Sequence, residues 1–311
     1  MAKWNKTSLF ASRQKGGVVS VVDQSVTTGN IMFVDSGKTT NGADTASHGD
    51  NPDAPFLTIN YALTQITANN GDIIYVMPGH TETVPVTTGW AMSTAGTTLI
   101  GIGYGRARPV VTAHASAIDA ITVTGANCRI ENIVFKGAAS CTAFIELQAA
   151  DFELHNCVFE HISTPLDGIT IAAGGDRFKF TDCTFATTAD GPNTAIDLQG
   201  AGITGPWEIS RCIFNYAPYD CDDGAIVAND KAVTGGLIRD CIFIAMTTIA
   251  IDFNSSSTAA ADGMMVGNRI SGITMANIDG FIDPGGYVLI DNYGSPDVTK
   301  GGGLIPVTTP A

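Results

Sequence analysis

The chain has 311 residues, of which 35 are glycine and only 15% are charged. Its formal net charge of −14 at pH 7 argues against a nucleic-acid partner, because contacts to phosphates require clustered Lys and Arg side chains. No apolar run reaches the roughly 18 residues of a membrane-spanning helix, so no membrane partner is predicted.

Residues 1–30 are predicted to form an extended, basic N-terminal arm. The first 22 residues contain Lys3, Lys6, Arg13 and Lys15 and no acidic residue, whereas the remainder of the chain is acidic. The start of the chain also lacks the apolar stretch of about 7–15 residues that a secretory signal contains. We therefore expect assembly in the cytoplasm of the producing cell.

A short strand, Ile31–Val34, is predicted to open the main domain, which we place at residues 31–293. The loop after it contains Asp44, Asp50 and Asp53, and carboxylates of this kind bind calcium in many loops. A solvated turn-rich loop has the same composition. We prefer the solvated loop and predict no metal site.

A capping helix is predicted at about residues 55–69. Phe56, Ile59, Leu63 and Ile66 recur at helical spacing, which places them on one face of a helix. A helix in front of a stack of strands has a physical role, because the open end of such a stack exposes both core and unpaired backbone.

Between residues 152 and 243 one strand motif occurs four times, as FELHNCVF, FKFTDCTF, WEISRCIF and GLIRDCIF. Its cysteines are Cys157, Cys183, Cys212 and Cys241, and a phenylalanine follows two residues after each, at Phe159, Phe185, Phe214 and Phe243. A second, apolar strand motif alternates with the first. Strands that recur with a period of 26–29 residues predict an all-β solenoid, a parallel β-helix of about seven to nine coils.

The cysteines of the repeat are predicted to be buried and reduced. The chain has seven cysteines, an odd number, and no Cys-x-x-Cys pair. A thiol at an inward repeat position behaves as a small apolar side chain. We therefore predict that these cysteines form an internal ladder and bind no metal or cofactor.

The second strand motif predicts a column of outward side chains, which are Glu146, Thr170, Asp197, Val227 and Asp252. Carboxylates in alternate coils would lie about 9.6 Å apart. This separation exceeds the ~9.5 Å upper end for an inverting glycosidase pair. Like charges also skip coils simply to avoid stacking, so we assign no catalytic residue to the column.

The succession NPDAPFLTINYAL, GDIIYVMPG and TTLIGIGYGRARPVV resembles the N-terminal portion of right-handed parallel β-helix proteins of the pectate-lyase-like superfamily. The resemblance covers roughly residues 31–293 and implies a single-stranded right-handed parallel β-helix with an N-terminal capping helix. A small body with a basic arm ahead of it and a flexible tail behind it, here residues 294–311, most resembles bacteriophage virion structural proteins. Head decoration or cement proteins and spikes are the types implied.

The resemblance also raises the question of enzymatic activity. Pectate lyases carry calcium-binding aspartates and an Arg-x-Pro-x-x-Arg phrase with a catalytic arginine. This chain has Arg106-Ala107-Arg108-Pro109, which lacks the second half of that phrase. We expect a protein that is not an enzyme and has no cofactor.

The expected function is that of a non-enzymatic virion protein that decorates the capsid, attached to the head shell by its arm. The major capsid protein or another virion protein is the expected partner, and a homotrimer is implied by analogy. Aromatic and arginine side chains dominate contact energies. The expected contact residues of the arm are Lys3, Trp4, Lys6, Phe10, Arg13 and Lys15.

An alternative function comes from loops that follow the first strand motif. Acids beside aromatic rings bind sugars, cations or partner proteins, although loops of a solenoid are polar simply because they lie outside. The alternative is a tailspike or adhesin that binds or cleaves host surface polysaccharide. The residues concerned are Asp167, Asp190, Tyr216, Tyr219, Asp220, Asp222 and Asp223.

Overall fold

The computed structural model describes residues 27, 29–85, 87–114, 117–137, 141–161, 167–187, 192–200, 202–217, 221, 223–228, 232–253, 261–272, 280–295 and 301–306. Within these residues the chain is an all-β solenoid of three sheets, with one short α-helix and one 3-10 helix, Gly105–Ala107. The predicted fold class is confirmed.

Sheet 1 contains ten parallel strands. They are β1 (Ile31–Val34), β2 (Ile73–Val76), β5 (Thr98–Gly101), β8 (Arg129–Glu131), β11 (Glu153–His155), β14 (Lys179–Thr181), β17 (Trp207–Ser210), β20 (Gly236–Arg239), β23 (Ala261–Val266) and β26 (Gly286–Ile290).

Sheet 2 contains nine parallel strands and a tenth that is antiparallel. They are β3 (Thr81–Thr83), β6 (Val110–Thr112), β9 (Val134–Lys136), β12 (Val158–His161), β15 (Thr184–Thr187), β18 (Ile213–Asn215), β21 (Ile242–Met246), β24 (Arg269–Gly272), β27 (Tyr293–Ser295) and the antiparallel β28 (Gly303–Leu304).

Sheet 3 contains eight parallel strands. They are β4 (Trp90–Met92), β7 (Ile121–Val123), β10 (Ala143–Leu147), β13 (Asp167–Ile171), β16 (Thr194–Asp197), β19 (Gly224–Val227), β22 (Ile251–Asp252) and β25 (Ile282–Asp283). Each coil takes one strand from each sheet, and the described strands β2 to β25 form eight such coils.

The capping helix α1 spans Ile59–Leu63 and is shorter than the predicted 55–69. Thr58 caps it, because its hydroxyl accepts a hydrogen bond from the amide of Tyr61 at 3.1 Å. At the other end the Thr64 hydroxyl donates to the Tyr61 carbonyl at 2.6 Å. That bond replaces a further helical turn and ends the helix where its buried face ends, at Leu63.

The corner between sheets 1 and 2 is one residue in the left-handed conformation. Asn, Asp and Arg fill it, at Asn132, Asn156, Asp182, Arg211, Asp240 and Asp291, with φ between 49° and 59°. Asn and Asp tolerate this conformation better than other residues with side chains. The corner directs the side chain of the next residue into the core. In four coils that residue is the repeat cysteine.

The predicted cysteine and phenylalanine ladders are confirmed. The four repeat cysteines are fully buried. The rings of Phe159, Phe185, Phe214 and Phe243 stack face to face, with centroid separations of 4.7, 4.9 and 4.7 Å and interplanar angles of 6° or less. Stacked coils thus place like side chains at the coil spacing.

Two asparagines continue the cysteine ladder toward the C-terminus. Asn268 accepts the amide of Cys241 at 3.0 Å, and Asn292 accepts the amide of Asn268 at 3.0 Å. Their side-chain amides donate to the carbonyls of Ile238 and Met265. The buried amide groups are therefore satisfied, as burial of polar groups requires.

Part of the expected flexible tail packs against the solenoid. Strand β28 pairs with β27, so that Tyr293 lies opposite Leu304. Ile305 is buried, and its amide donates to the carbonyl of Asn292 at 2.7 Å. The expectation of a loose tail is therefore wrong for these residues.

Candidate functional site

The outer face of sheet 1 carries a column of side chains whose charge changes sign from coil to coil. The register places Arg129, Glu153, Lys179 and Glu208 on neighbouring strands. Opposite charges on adjacent strands attract, and like charges repel. Charges of opposite sign therefore alternate along four neighbouring strands of sheet 1.

Ion pairs join these side chains to each other and to their neighbours. Arg129 contacts Glu131 at 2.7 Å and Glu153 at 3.6 Å. Glu208 contacts Arg239 at 2.9 Å and Lys179 at 3.8 Å. The face is therefore neutralised locally, although each pair is partly exposed and stabilises the fold by only about 0–1 kcal/mol.

Partial burial opposes ionisation of Glu208, but the hydrogen bond from Arg239 and the charges of Arg239 and Lys179 outweigh that effect. They hold the pKa of the Glu208 carboxyl below its usual value. Glu208 is thus an anion at neutral pH and holds two cations, Lys179 and Arg239, in place.

Bidentate pairs flank sheet 1 at both of its corners. Arg177 donates to Asp151 at 2.8 and 2.6 Å, and Arg211 donates to Asp182 at 2.7 and 2.7 Å. Each pair joins neighbouring coils. The hydrogen bonds from the guanidinium groups lower the pKa of both aspartates.

A groove of about 350 Å³ runs along this charged face. Its volume is at the lower end of ligand sites, which span ≈300–1,000 Å³. Trp207 borders it but is only 2% exposed, so the groove offers charged groups rather than an aromatic platform. It is lined by Asp151, Glu153, Arg177, Phe178, Lys179, Pro206, Trp207, Glu208, Gly235 and Leu237.

A second depression of about 220 Å³ lies beside the groove and contains His155. The Nδ1 atom of His155 is 2.8 Å from the hydroxyl of Thr181 and 3.5 Å from a carboxylate oxygen of Asp182. The imidazole is therefore oriented by two groups of the next coil.

The register of the column predicted on sheet 3 is confirmed, although Thr170 and Val227 are buried. Register pairs place Thr170 beside Glu146, Asp197 beside Thr170, and Val227 and Asp252 in the following coils. The structure extends the column to Asp283, which lies directly beside Asp252. Like charges therefore do stack at the end of the column, which the pattern of alternate coils did not predict.

Two carboxyls beside sheet 3 have raised pKa values. Burial, followed by the charge of Glu146, raises the pKa of Asp119 to about 6. Burial also raises the pKa of Asp167 to about 6, helped by the charges of Asp197 and Asp223 and opposed by hydrogen bonds from Thr194. Such groups can exchange a proton near neutral pH.

The two acidic residues of the predicted contact loops that the structure describes, Asp167 and Asp223, lie at the starts of strands of sheet 3. Asp167 is the first residue of β13, and Asp223 immediately precedes β19. The charge of Asp223 contributes to the raised pKa of Asp167, so the two carboxyls lie near each other. Asp190, Tyr219, Asp220 and Asp222 lie outside the described residues, as do the predicted contact residues Lys3, Trp4, Lys6, Phe10, Arg13 and Lys15.

The assignment of Tyr216 to a contact surface is wrong. Its side chain is fully buried, with its ring centroid 6.0 Å from that of His161. Tyr216 lies two residues after the inward Phe214, and residues two apart on a strand share a face. The tyrosine is part of the core, where burial raises the pKa of its hydroxyl.

Asp44, in the acidic loop after β1, holds the start of helix α1 in place. Asp44 accepts hydrogen bonds from the amides of Leu57 and Thr58 at 2.8 and 3.1 Å and from the Thr58 hydroxyl at 2.7 Å. Among the described residues no group of three or more His, Cys, Asp or Glu side chains is arranged to hold a metal ion.

Apolar side chains are exposed on the last coils. On the C-terminal part of sheets 1 and 2, exposure of these side chains ranges from 36% to 56%. The residues are Ile213, Ile242, Met264, Val288, Ile290, Tyr293 and Leu304. We call this set the apolar face.

Sequence reasoning missed the charged column of sheet 1, although a signal was present. Glu153, Lys179, Glu208 and Leu237 each lie four residues before a repeat cysteine. Aligning the repeats on the cysteine therefore places these residues in one outward column. The same alignment shows the change from charged to apolar residues at Leu237.

No helix in the described part of the chain is long and apolar enough to cross a membrane. No protein-family model matches the chain, and no curated protein matches it.

Solved structures resemble the fold at low sequence identity. Pectate lyase Pel9A superimposes with a TM-score of 0.52 and 14% identity, over 87% of this chain and 78% of that one. A rhamnogalacturonan lyase matches with a TM-score of 0.43 and 14% identity, over 85% of this chain and 87% of its own. Pectin methylesterase PemA from Erwinia chrysanthemi matches with a TM-score of 0.44 and 12% identity, over 86% and 90% of the two chains. The superposition on pectate lyase Pel9A, together with the three parallel sheets, shows that the chain has the pectate-lyase-like, right-handed parallel β-helix fold.

Proposed function

We propose that the protein is a non-enzymatic structural component of a bacteriophage particle, a decoration or cement protein of the head. The observation that supports this proposal best is the apolar face, which lies outward on a β-helix whose other described faces are mostly polar. Monomeric proteins rarely expose a contiguous apolar surface of this kind, and its usual role is contact with another protein.

The charged face of sheet 1 is consistent with a scaffold. Its cations are matched by carboxylates on the same or the next coil, as in Arg177 with Asp151 and Arg239 with Glu208. Such cross-coil pairs hold neighbouring coils together through partly exposed contacts.

Attachment to the shell is assigned to the basic arm. Its positive charge is opposite in sign to that of the acidic body, so it is suited to an acidic partner surface. Trp4 and Phe10 supply apolar anchors beside the basic side chains. We propose a homotrimer, located in the virion and assembled in the host cytoplasm.

Deleting residues 1–20 tests this function. The truncated protein and the full chain are mixed with heads of the encoding phage that lack the protein, and the heads are then sedimented. We expect the full chain to sediment with the heads and the truncated chain to remain in solution. Equal binding of both would overturn the role of the arm.

A second function, binding or cleavage of a host surface polysaccharide, is favoured by one observation, the groove of about 350 Å³. Its lining combines the cations Arg177 and Lys179 with three carboxylates, and charged groups of both signs can hydrogen-bond the polar groups of a sugar. Binding to immobilised host surface polysaccharides, lost in Lys179→Ala, would support it. Release of oligosaccharides, abolished by Asp220→Asn or Asp222→Asn, would establish an enzyme.

A further inference from the structure

We propose that the apolar face is the surface through which copies of this chain associate with each other. The inference names the contact surface of the proposed oligomer and so rests on that part of the proposed function. Its test uses the purified protein alone, and its outcome is separate from any binding to heads.

The outer column of sheet 1 changes character at the coil that contains β20. Its charged residues end at Glu208, and Leu237, Met264 and Val288 follow on the next strands. In the matching column of sheet 2, Ile213 and Ile242 follow Thr184 and are exposed, whereas the earlier valines of that column, such as Val134, are less exposed. Exposed apolar residues therefore begin at β18 on sheet 2, whereas on sheet 1 the partly exposed Leu237 follows one coil later.

The two halves of the apolar face meet at the corner between the sheets. Ile290 ends β26 and Tyr293 begins β27, and only Asp291 and the buried Asn292 separate them. On sheet 2 the face continues from Tyr293 to Leu304, which is paired with it. One surface therefore wraps around the corner rather than forming two separate patches.

The size of the apolar face fits a protein interface. At 36–56% exposure its seven residues present on the order of 600 Å², near the ~800 Å² that each partner buries in a standard interface. This area is at the upper end of the ~300–600 Å² that the largest apolar patch of a typical monomer reaches, and such patches are often functional. Tyr293 supplies the aromatic anchor that such interfaces favour.

Two charged groups of opposite sign lie within the apolar face. Arg269 lies between Ile242 and Tyr293 in one column of sheet 2, and Asp291 occupies the corner position of the next coil. Both are exposed, and neither forms an ion pair with another described residue. The other cations on the sheets beside them, such as Arg239 and Lys136, do have carboxylate partners.

A second copy of the chain can supply a partner of opposite charge for both Arg269 and Asp291. When the sheet 2 side of the face in one copy meets the corner of the next copy, Arg269 of the first can pair with Asp291 of the second, and the same contact repeats around the ring of the proposed homotrimer. The surrounding apolar side chains would exclude water from the pair and strengthen it. An acidic partner alone would satisfy Arg269 but would leave Asp291 beside a like charge.

Sedimentation velocity of the full chain tests the proposal with four variants. Arg269→Glu and Asp291→Arg each place like charges across the contact, and each should weaken association at least ~10-fold. Arginine is tolerated at this corner, since Arg211 occupies the same left-handed position with φ 52°. Val288→Lys, at a residue that is 56% exposed, should also weaken association. Arg106→Glu, on an exposed arginine of the 3-10 helix, is the matched control and should leave association unchanged.

Mixing the Arg269→Glu and Asp291→Arg variants provides the sharpest test. Neither associates well alone, but the mixture restores opposite charges across the contact between unlike copies, so association should return above that of either variant. A wild-type chain that sediments as a monomer, as it would if its own terminal residues covered the face, overturns the proposal. Oligomers that both reversals leave unchanged, or a mixture that does not reassociate, overturn it as well.

Discussion

Arg211 and Asp182 form a bidentate ion pair between the corner residues of neighbouring coils, with both donor–acceptor distances 2.7 Å. Both residues have left-handed backbones, with φ of 52° and 58°. The corner therefore combines an unfavourable backbone conformation with a favourable contact between coils. The two contributions can be separated by substitution.

Arg211→Ala is expected to lower the free energy of unfolding by less than ~1 kcal/mol, because the pair is 47% and 36% exposed and its attraction is screened by water. Arg211→Gly loses the same pair but relieves the left-handed strain. We therefore expect Arg211→Gly to be at least as stable as the wild type. Urea denaturation measures both changes, and a glycine variant less stable than the alanine variant would contradict the role assigned to the corner.

Phe185 lies in the middle of the stacked phenylalanine ladder, 4.7 Å from Phe159 and 4.9 Å from Phe214 between ring centroids. Phe185→Ala leaves a cavity between two rings and should lower the free energy of unfolding by about 3–5 kcal/mol. The matched control is Thr184→Ala, on the outward side of the same strand, which should change it by less than ~0.5 kcal/mol. Similar losses in the two variants would argue against a packed ladder.

The ladders could be predicted from sequence because a strand alternates faces and stacked coils repeat the same register. Once Cys183 and Phe185 are assigned to the core, Thr184 must point outward. The same rule places Glu146 and Asp197 in one column. It also applies to Tyr216: alternation from Phe214 predicts an inward side chain, as observed, whereas its position in a loop predicts exposure.

Other features depend on contacts that sequence spacing does not encode. The helix ends at Leu63 because Thr64 bonds back to Tyr61, although the apolar spacing continues to Ile66. The stacking of Asp252 on Asp283 depends on a strand of only two residues, Ile282–Asp283. The pKa of Asp119 is raised first by burial and then by the approach of Glu146 from the next coil.

The thiols should be unreactive in the folded protein. All seven cysteines are free and buried, and burial raises the pKa of both Cys141 and Cys157 to about 12. The thiolate is the reactive form, so a soluble aromatic disulfide reagent at pH 8 should modify few thiols in the native protein and all of them in denaturant. Rapid modification of native protein would show that the cysteine ladder is accessible to solvent.

Ionisation of Asp167 should lower the free energy of unfolding as pH rises, whereas ionisation of the ion-paired Asp151 and Asp182 raises it. The pKa of Asp167, about 6, exceeds the ordinary value of 3.8, so the folded state holds a proton that the unfolded state releases, and stability falls as pH rises from about 4 to 6. The lowered pKa values of Asp151 and Asp182 act below this window, where stability falls with decreasing pH.

Asp167→Asn keeps an oxygen for the amide and hydroxyl of Thr194 and removes the charge beside Asp197 and Asp223. We expect this variant to gain about 1 kcal/mol at pH 8 and almost nothing at pH 4. Urea midpoints at the two pH values measure the difference, and an equal change at both would mean that Asp167 is ionised without cost in the folded protein.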